Sequence, residues 1–174
     1  MLKTSVKDKL EQLKLKGFLR TAEISLNQMI EQGTSFVDML DFCLDAEIND
    51  RSNRRIERLF SSAKFRYPTA RLEHIDYAVE RKIKKANINH YANCEWISDC
   101  RGLIISGATG VGKSWLACAF GAEACHRGHS VMYFNAIHLF DEISNAIALG
   151  EIRNFKNLAM PNICFHKAYK IEKE

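Results

Sequence analysis

The chain has 174 residues, with 25 Lys and Arg against 21 Asp and Glu for a net charge of +4. That length suits one medium domain, or a small domain with a helical extension, and excludes a large multidomain enzyme. A 47% hydrophobic content excludes global disorder. No apolar run approaches the about 18 residues that cross a bilayer, and Met1–Asp8 carries no apolar signal region, so a cytoplasmic protein is expected. Cys43, Cys94, Cys100, Cys118, Cys125 and Cys164 form no C-x-x-C pair. Reduced, largely structural thiols are expected rather than a metal cluster.

Residues 5–50 read as helix, with Gly17 and Gly33 as the expected breaks between three short helices. Val37, Leu40, Leu44 and Ile48 recur at helical spacing and make one apolar stripe. Residues 51–85 then concentrate charge. They hold eleven basic and four acidic residues, a local +7 that leaves −3 for the remainder. Within them Arg51, Arg54, Arg55 and Arg58 stack on one helical face. Such a stripe suits either a solvated face or contacts to nucleic-acid phosphates. Ile56, Leu59, Phe60 and Ala63 lie largely off it and could dock the helix on a core.

The pattern changes after residue 100. Gly102–Ser106 is a short continuous apolar run, expected as a buried parallel strand. A Gly-rich turn and a helix through Arg127 follow, with Gly128 as its stop. Ser130–Phe134 reads as a second strand, and Asn135 as the cap of a helix that ends at Gly150. Strand, loop, helix, strand, helix predicts an α/β domain with a parallel sheet.

The turn is Gly107-Ala108-Thr109-Gly110-Val111-Gly112-Lys113-Ser114, a match to G-x-x-x-x-G-K-[ST] at every fixed position. Glycines let the loop wrap with its amide N–H groups pointing inward, and the following helix adds the positive end of its dipole. Lys113 is expected on the β- and γ-phosphates and the Ser114 hydroxyl on Mg²⁺. All eight residues are therefore assigned to nucleotide binding. Glu73 and Asp76 read as a helix cap or a solvated pair, and His126, His129 and His138 have no ligand spacing. No residue is assigned a catalytic role.

Around this loop stand Ala46-Glu47, Arg51, Arg54-Arg55, Ala63-Lys64-Phe65 and Leu72-Glu73-His74-Ile75-Asp76-Tyr77, then Trp115-Leu116-Ala117, Gly128-His129-Ser130-Val131 and Asn135–Phe140. This order resembles the IstB-like family, ATP-binding helpers of insertion-sequence transposition related to DnaC-like helicase loaders within the AAA+ ATPases. The resemblance covers roughly residues 5–161. It implies ATP as the nucleotide, a helical N-terminal domain that contacts DNA and transposase, and homo-oligomers on DNA. It also brings residues 73–76 near the nucleotide base and favours Arg51, Arg54, Arg55 and Arg58 as DNA contacts.

The family's second acidic motif should follow the Leu158-Ala159-Met160-Pro161 stretch. Ile163-Cys164-Phe165 begins like the required strand, yet no Asp follows it. Phosphoryl transfer needs metal, water and charge positioned together, so ATP binding with little hydrolysis is expected of a C-terminally truncated chain. The resemblance also sets the loop-bearing strand between two later strands that do not follow here. The organisation expected is a helical interaction region over 1–70, a linker and approach to the ATPase domain over 71–100, an incomplete P-loop (AAA+) parallel-sheet domain over 101–161 and a divergent tail over 162–174. Two alternatives stay open: a non-catalytic DNA- or transposase-interaction fragment, and a DnaC-like loader fragment that binds a helicase.

Overall fold

The computed structural model describes residues 2–78, 83–154 and 163–166, with the backbone alone at 136–138 and 163–166. The Leu158–Pro161 stretch and the tail beyond His166 lie outside the described residues. The chain forms two compact units, Met1–Glu57 and Arg58–Glu174.

The first unit is helical. Helix α1 spans Thr4–Gln12, α2 Lys16–Glu31, and α3 begins at Phe36 and continues to Ala63, across the boundary between units. The break between α1 and α2 falls at Lys14, which adopts φ +58, rather than at Gly17. Gly17 lies inside α2 for a steric reason. A Cβ there would sit 2.8 Å from the Ala46 carbonyl oxygen and 2.8 Å from the Asp50 Cβ. Gly33 does end α2, with φ +72. Ser35 then starts α3, its Oγ accepting from the Asp38 N–H at 3.2 Å and donating to the Asp38 carboxylate at 2.6 Å. Ala22 and Cys43 are buried, whereas Val37, Leu40, Leu44 and Ile48 all face solvent. The apolar stripe read from the sequence is therefore present but not covered.

The second unit is built round α6, Lys113–His126. This helix is rich in Ala, Cys and Gly, and seven of its residues are buried, so neighbours approach it from most sides. Ala63, Ile88, Cys94, Phe120, Ala124, Cys125 and Val131 form the main core cluster. Ala70, Cys118 and Ala119 form a second. The end of α3 docks through Leu59, Phe60 and Ala63, three of the four residues expected; Ile56 is not part of that cluster. Residues 71–100 do not merely connect. Their 3₁₀ turn (Leu72–His74) and helices α4 (Lys85–Ala92) and α5 (Glu95–Ser98) supply Leu72, Ile88, Cys94 and Trp96 to that core.

Strand β1, Val131–Phe134, pairs in parallel with β2, Ile163–His166, placing Val131 opposite Ile163 and Phe134 opposite His166. Helix α7, Ala136–Ala148, follows β1. Gly128 (φ +84) closes α6, its N–H bonding the Cys125 carbonyl while His129 N–H bonds Ala124, both at 2.9 Å. The segment 102–106, expected as a strand, has no strand structure. A strand exists through hydrogen bonds to neighbours, and among the described residues none pairs with it. Leu103 and Ile105 still pack on the core, while Ile104 is 90% exposed. The architecture is mostly helical, and its described sheet is the two-stranded β1–β2 pair.

Candidate nucleotide site

The loop 107–112 leads directly into α6. Gly110 (φ +85) and Gly112 (φ +91) occupy backbone conformations that side chains disfavour. Gly112 is the N-cap, and no side chain closes the first turn of α6. The first intrahelical bond runs from Leu116 N–H to the Gly112 carbonyl, at 2.9 Å. The N–H groups of Lys113, Ser114 and Trp115 are thus the orphan donors of a helix start, gathered at its positive end. Lys113 bends back over the loop, its Nζ donating to the carbonyls of Gly107 at 2.9 Å and Ala108 at 2.5 Å. The ammonium is held at the mouth of the loop. Ser114 follows on the first turn of the same helix.

A cleft of about 630 Å³ opens beside this loop. Gly107, Ala108, Val111, Gly112 and Lys113 line it, together with His74, Ile75, Asp76, Ile83, Ile105, Ser106, Trp115 and Leu116, whereas Thr109, Gly110 and Ser114 are not among the lining residues. Its volume lies within the range of small-molecule sites, and apolar walls beside a few polar groups are their usual composition. Asp76 is fixed locally, one carboxylate oxygen accepting from the Ala78 N–H at 2.9 Å. Of residues 73–76, His74, Ile75 and Asp76 line this cleft, and Glu73 is not among the lining residues. Sequence reasoning missed Trp115, named only for its resemblance, and Ile83. A bulky aromatic directly after Lys-Ser was the available signal for the first.

The arginines of α3 lie elsewhere. Arg51 Nε donates to Glu47 Oε1 at 2.6 Å, and Arg54 pairs with Asp50 at 2.6 Å and reaches Glu47 at 3.6 Å. Glu47, only 4% exposed, also accepts from the N–H groups of Gly17 (2.7 Å) and Phe18 (3.2 Å) through its other oxygen. It is a cap for α2 supplied by α3. Burial alone would raise its pKa, but the Arg51 hydrogen bond and the two backbone N–H groups outweigh burial and hold the carboxyl below the usual glutamate range. Arg55 is exposed on the same stretch of α3, and Arg58 stands on the next turn, in the second unit. Among the described residues no three His, Cys, Asp or Glu side chains converge as a metal site.

A sequence profile described as "IstB-like ATP binding protein" matches residues 8–164. The chain belongs to this IstB-like family. It is 34% identical over 155 residues to a Pseudomonas fluorescens protein named as an ATP-binding protein of insertion sequence IS1162, covering 88% of this chain and 67% of that one. Two Sinorhizobium fredii proteins, each named as an insertion sequence ATP-binding protein, are 34% and 31% identical over 154 and 156 residues. These alignments cover 88% and 87% of this chain and 61% of each relative. The IstB-like chain thus spans about three fifths to two thirds of the curated relatives it matches. No helix among its described residues is long and apolar enough to cross a membrane.

Proposed function

We propose that this IstB-like chain binds Mg·ATP in the cleft beside residues 107–114 and serves as a helper of insertion-sequence transposition. The observation that carries the reading is the junction of the loop with α6: glycine-only backbone angles, orphan N–H donors and one lysine converge where a polyphosphate fits. In this reading the N–H groups hold phosphate oxygens. Lys113 exchanges the carbonyls of Gly107 and Ala108 for the β- and γ-phosphates, and Ser114 Oγ turns to Mg²⁺. The metal neutralises phosphate charge when bound. The base lies toward His74, Ile75, Asp76 and Trp115, which line the same cleft.

Hydrolysis is a separate matter. The strand after the loop helix and β1 is β2, and the residues that follow it are Lys167-Ala168-Tyr169. No carboxylate stands there to order metal and attacking water. In this reading the chain binds ATP and releases phosphate at about the background rate. DNA and transposase are its partners in this reading, with Arg51, Arg54, Arg55 and Arg58 meeting phosphates and copies assembling along the DNA.

Titration with a fluorescent ATP analogue in Mg²⁺ is the direct test. Wild type binds, and Lys113→Ala weakens binding at least about tenfold with unchanged far-UV circular dichroism, because one charge-assisted contact to phosphate is worth roughly 1.5–3 kcal/mol. Equal, negligible binding by both proteins would reject the nucleotide reading in favour of a non-catalytic interaction protein. For DNA, Arg51 and Arg54 also support Glu47 and Asp50, so Arg55→Ala/Arg58→Ala is the cleaner variant. It should lower duplex affinity and flatten the salt dependence by about 0.9 in log–log slope per lost phosphate contact. An unchanged slope removes these two arginines from the interface.

A further inference from the structure

Helix α3 is divided by charge. Residues Phe36–Asp50 carry five carboxylates and no Lys or Arg, and the four arginines begin only at residue 51. In the acidic half Val37, Leu40, Leu44 and Ile48 form a continuous apolar line about 16 Å long at 1.5 Å per residue. Its two ends are the more open, Val37 71% and Ile48 63% exposed against 39% for Leu40 and 43% for Leu44. The side of the helix occupied by Cys43 and Glu47 is the buried one. On the flank away from it, Asp41 and Asp45 lie exposed beside the line, spaced four residues apart.

We infer that this face of α3 is the docking surface for a basic, amphipathic helix of a protein partner. Anchors at 37, 40, 44 and 48 match the spacing by which one helix receives another. An exposed apolar line of this length along one face of a helix is an interaction surface rather than scattered apolar residues. Since Glu47 and Asp50 are already paired with Arg51 and Arg54, the exposed carboxylates, Asp41 and Asp45, select the partner's charge. They repel DNA and anionic lipid, and they attract lysines or arginines that flank an apolar seam. They also oppose a symmetric antiparallel pair of α3 helices centred on this line, which sets each flank against its own copy, carboxylate against carboxylate. The inference gives a chemistry to the protein partner of the function proposed above and rests on that reading only for the existence of such a partner.

The test uses the full chain and two designed helical peptides with the same leucine spacing, one carrying Lys at its flanking positions and the other Glu, followed by fluorescence anisotropy. The Lys peptide binds and the Glu peptide does not. Leu44→Ser and Ile48→Ser each weaken the Lys peptide at least about tenfold, and Asp41→Asn/Asp45→Asn weakens it and removes most of its salt dependence. Ile48→Ser and Asp41→Asn/Asp45→Asn are surface changes, so their thermal midpoints hold, and ATP-analogue binding persists in every variant; Lys113→Ala conversely keeps peptide binding, which separates failure of this inference from failure of the nucleotide reading. Equal affinity for the two peptides, or affinity unmoved by the Leu44, Ile48 and Asp41/Asp45 variants, overturns it. So does a concentration-dependent dimer in sedimentation velocity that Ile48→Ser dissolves, which would assign the face to a second copy.

Discussion

Glu47 ties two helices together with one carboxylate. One oxygen closes the start of α2 through Gly17 and Phe18, and the other holds Arg51. Replacing it by Ala leaves two N–H donors and a guanidinium without their acceptor, at a cost of about 2–4 kcal/mol. A lowered midpoint in urea, with slope unchanged, checks this. Its folded pKa lies below the unfolded one. The stability it adds is therefore complete above the unfolded value of about 4.3 and lost as pH falls through the folded value. Acid melting of wild type should show that loss, and Glu47→Gln should flatten the curve in the same window. The sequence revealed an acidic residue four before Arg51 but not that it caps another helix, since that contact spans 30 positions. Lys113 is the opposite case: its assignment rests on spacing to its immediate neighbours alone.

Elements were legible in proportion to how locally they are determined. The glycine stops that need a positive φ, Gly33, Gly128 and Gly150, were identifiable from residue type. Gly17 was misread because its constraint comes from α3 pressing on α2 and not from a turn. Ala there gains helix propensity of about 1 kcal/mol, yet its Cβ meets backbone at 2.8 Å, so Gly17→Ala should destabilise by about 1–3 kcal/mol. A protein whose melting temperature rises on this change would refute the close approach. Gly33→Ala, in open space but at φ +72, should cost about 1 kcal/mol through the backbone alone. Periodicity likewise announced the line Val37–Ile48 without saying which side of α3 would be covered. The run 102–106 has strand composition, but composition cannot supply the neighbours that make a ladder.

At the scale of the molecule, the order of the motifs made the family legible, because that order is written along the chain itself. The mostly helical balance was not legible: it follows from which segments find partners, and only β1 and β2 do so among the described residues. The division at residue 57 was hidden as well, since α3 crosses it without a break in helical pattern. The buried cysteines turn that division into something measurable. Cys43 lies in the first unit, Cys94, Cys118 and Cys125 in the second, and Cys100 is exposed. Burial pushes the Cys125 thiol up to about 11 and raises Cys43, Cys94 and Cys118 too, so each reacts only when its surroundings open. A thiol-specific reagent near neutral pH should label Cys100 within the mixing time, then Cys43 and the second-unit cysteines at two distinct rates that mass spectrometry can assign by peptide. Each rate is a clock for one unit. ATP should slow the second clock and leave the first alone, which would read ligand binding as a local change in opening rather than as a signal from the nucleotide itself.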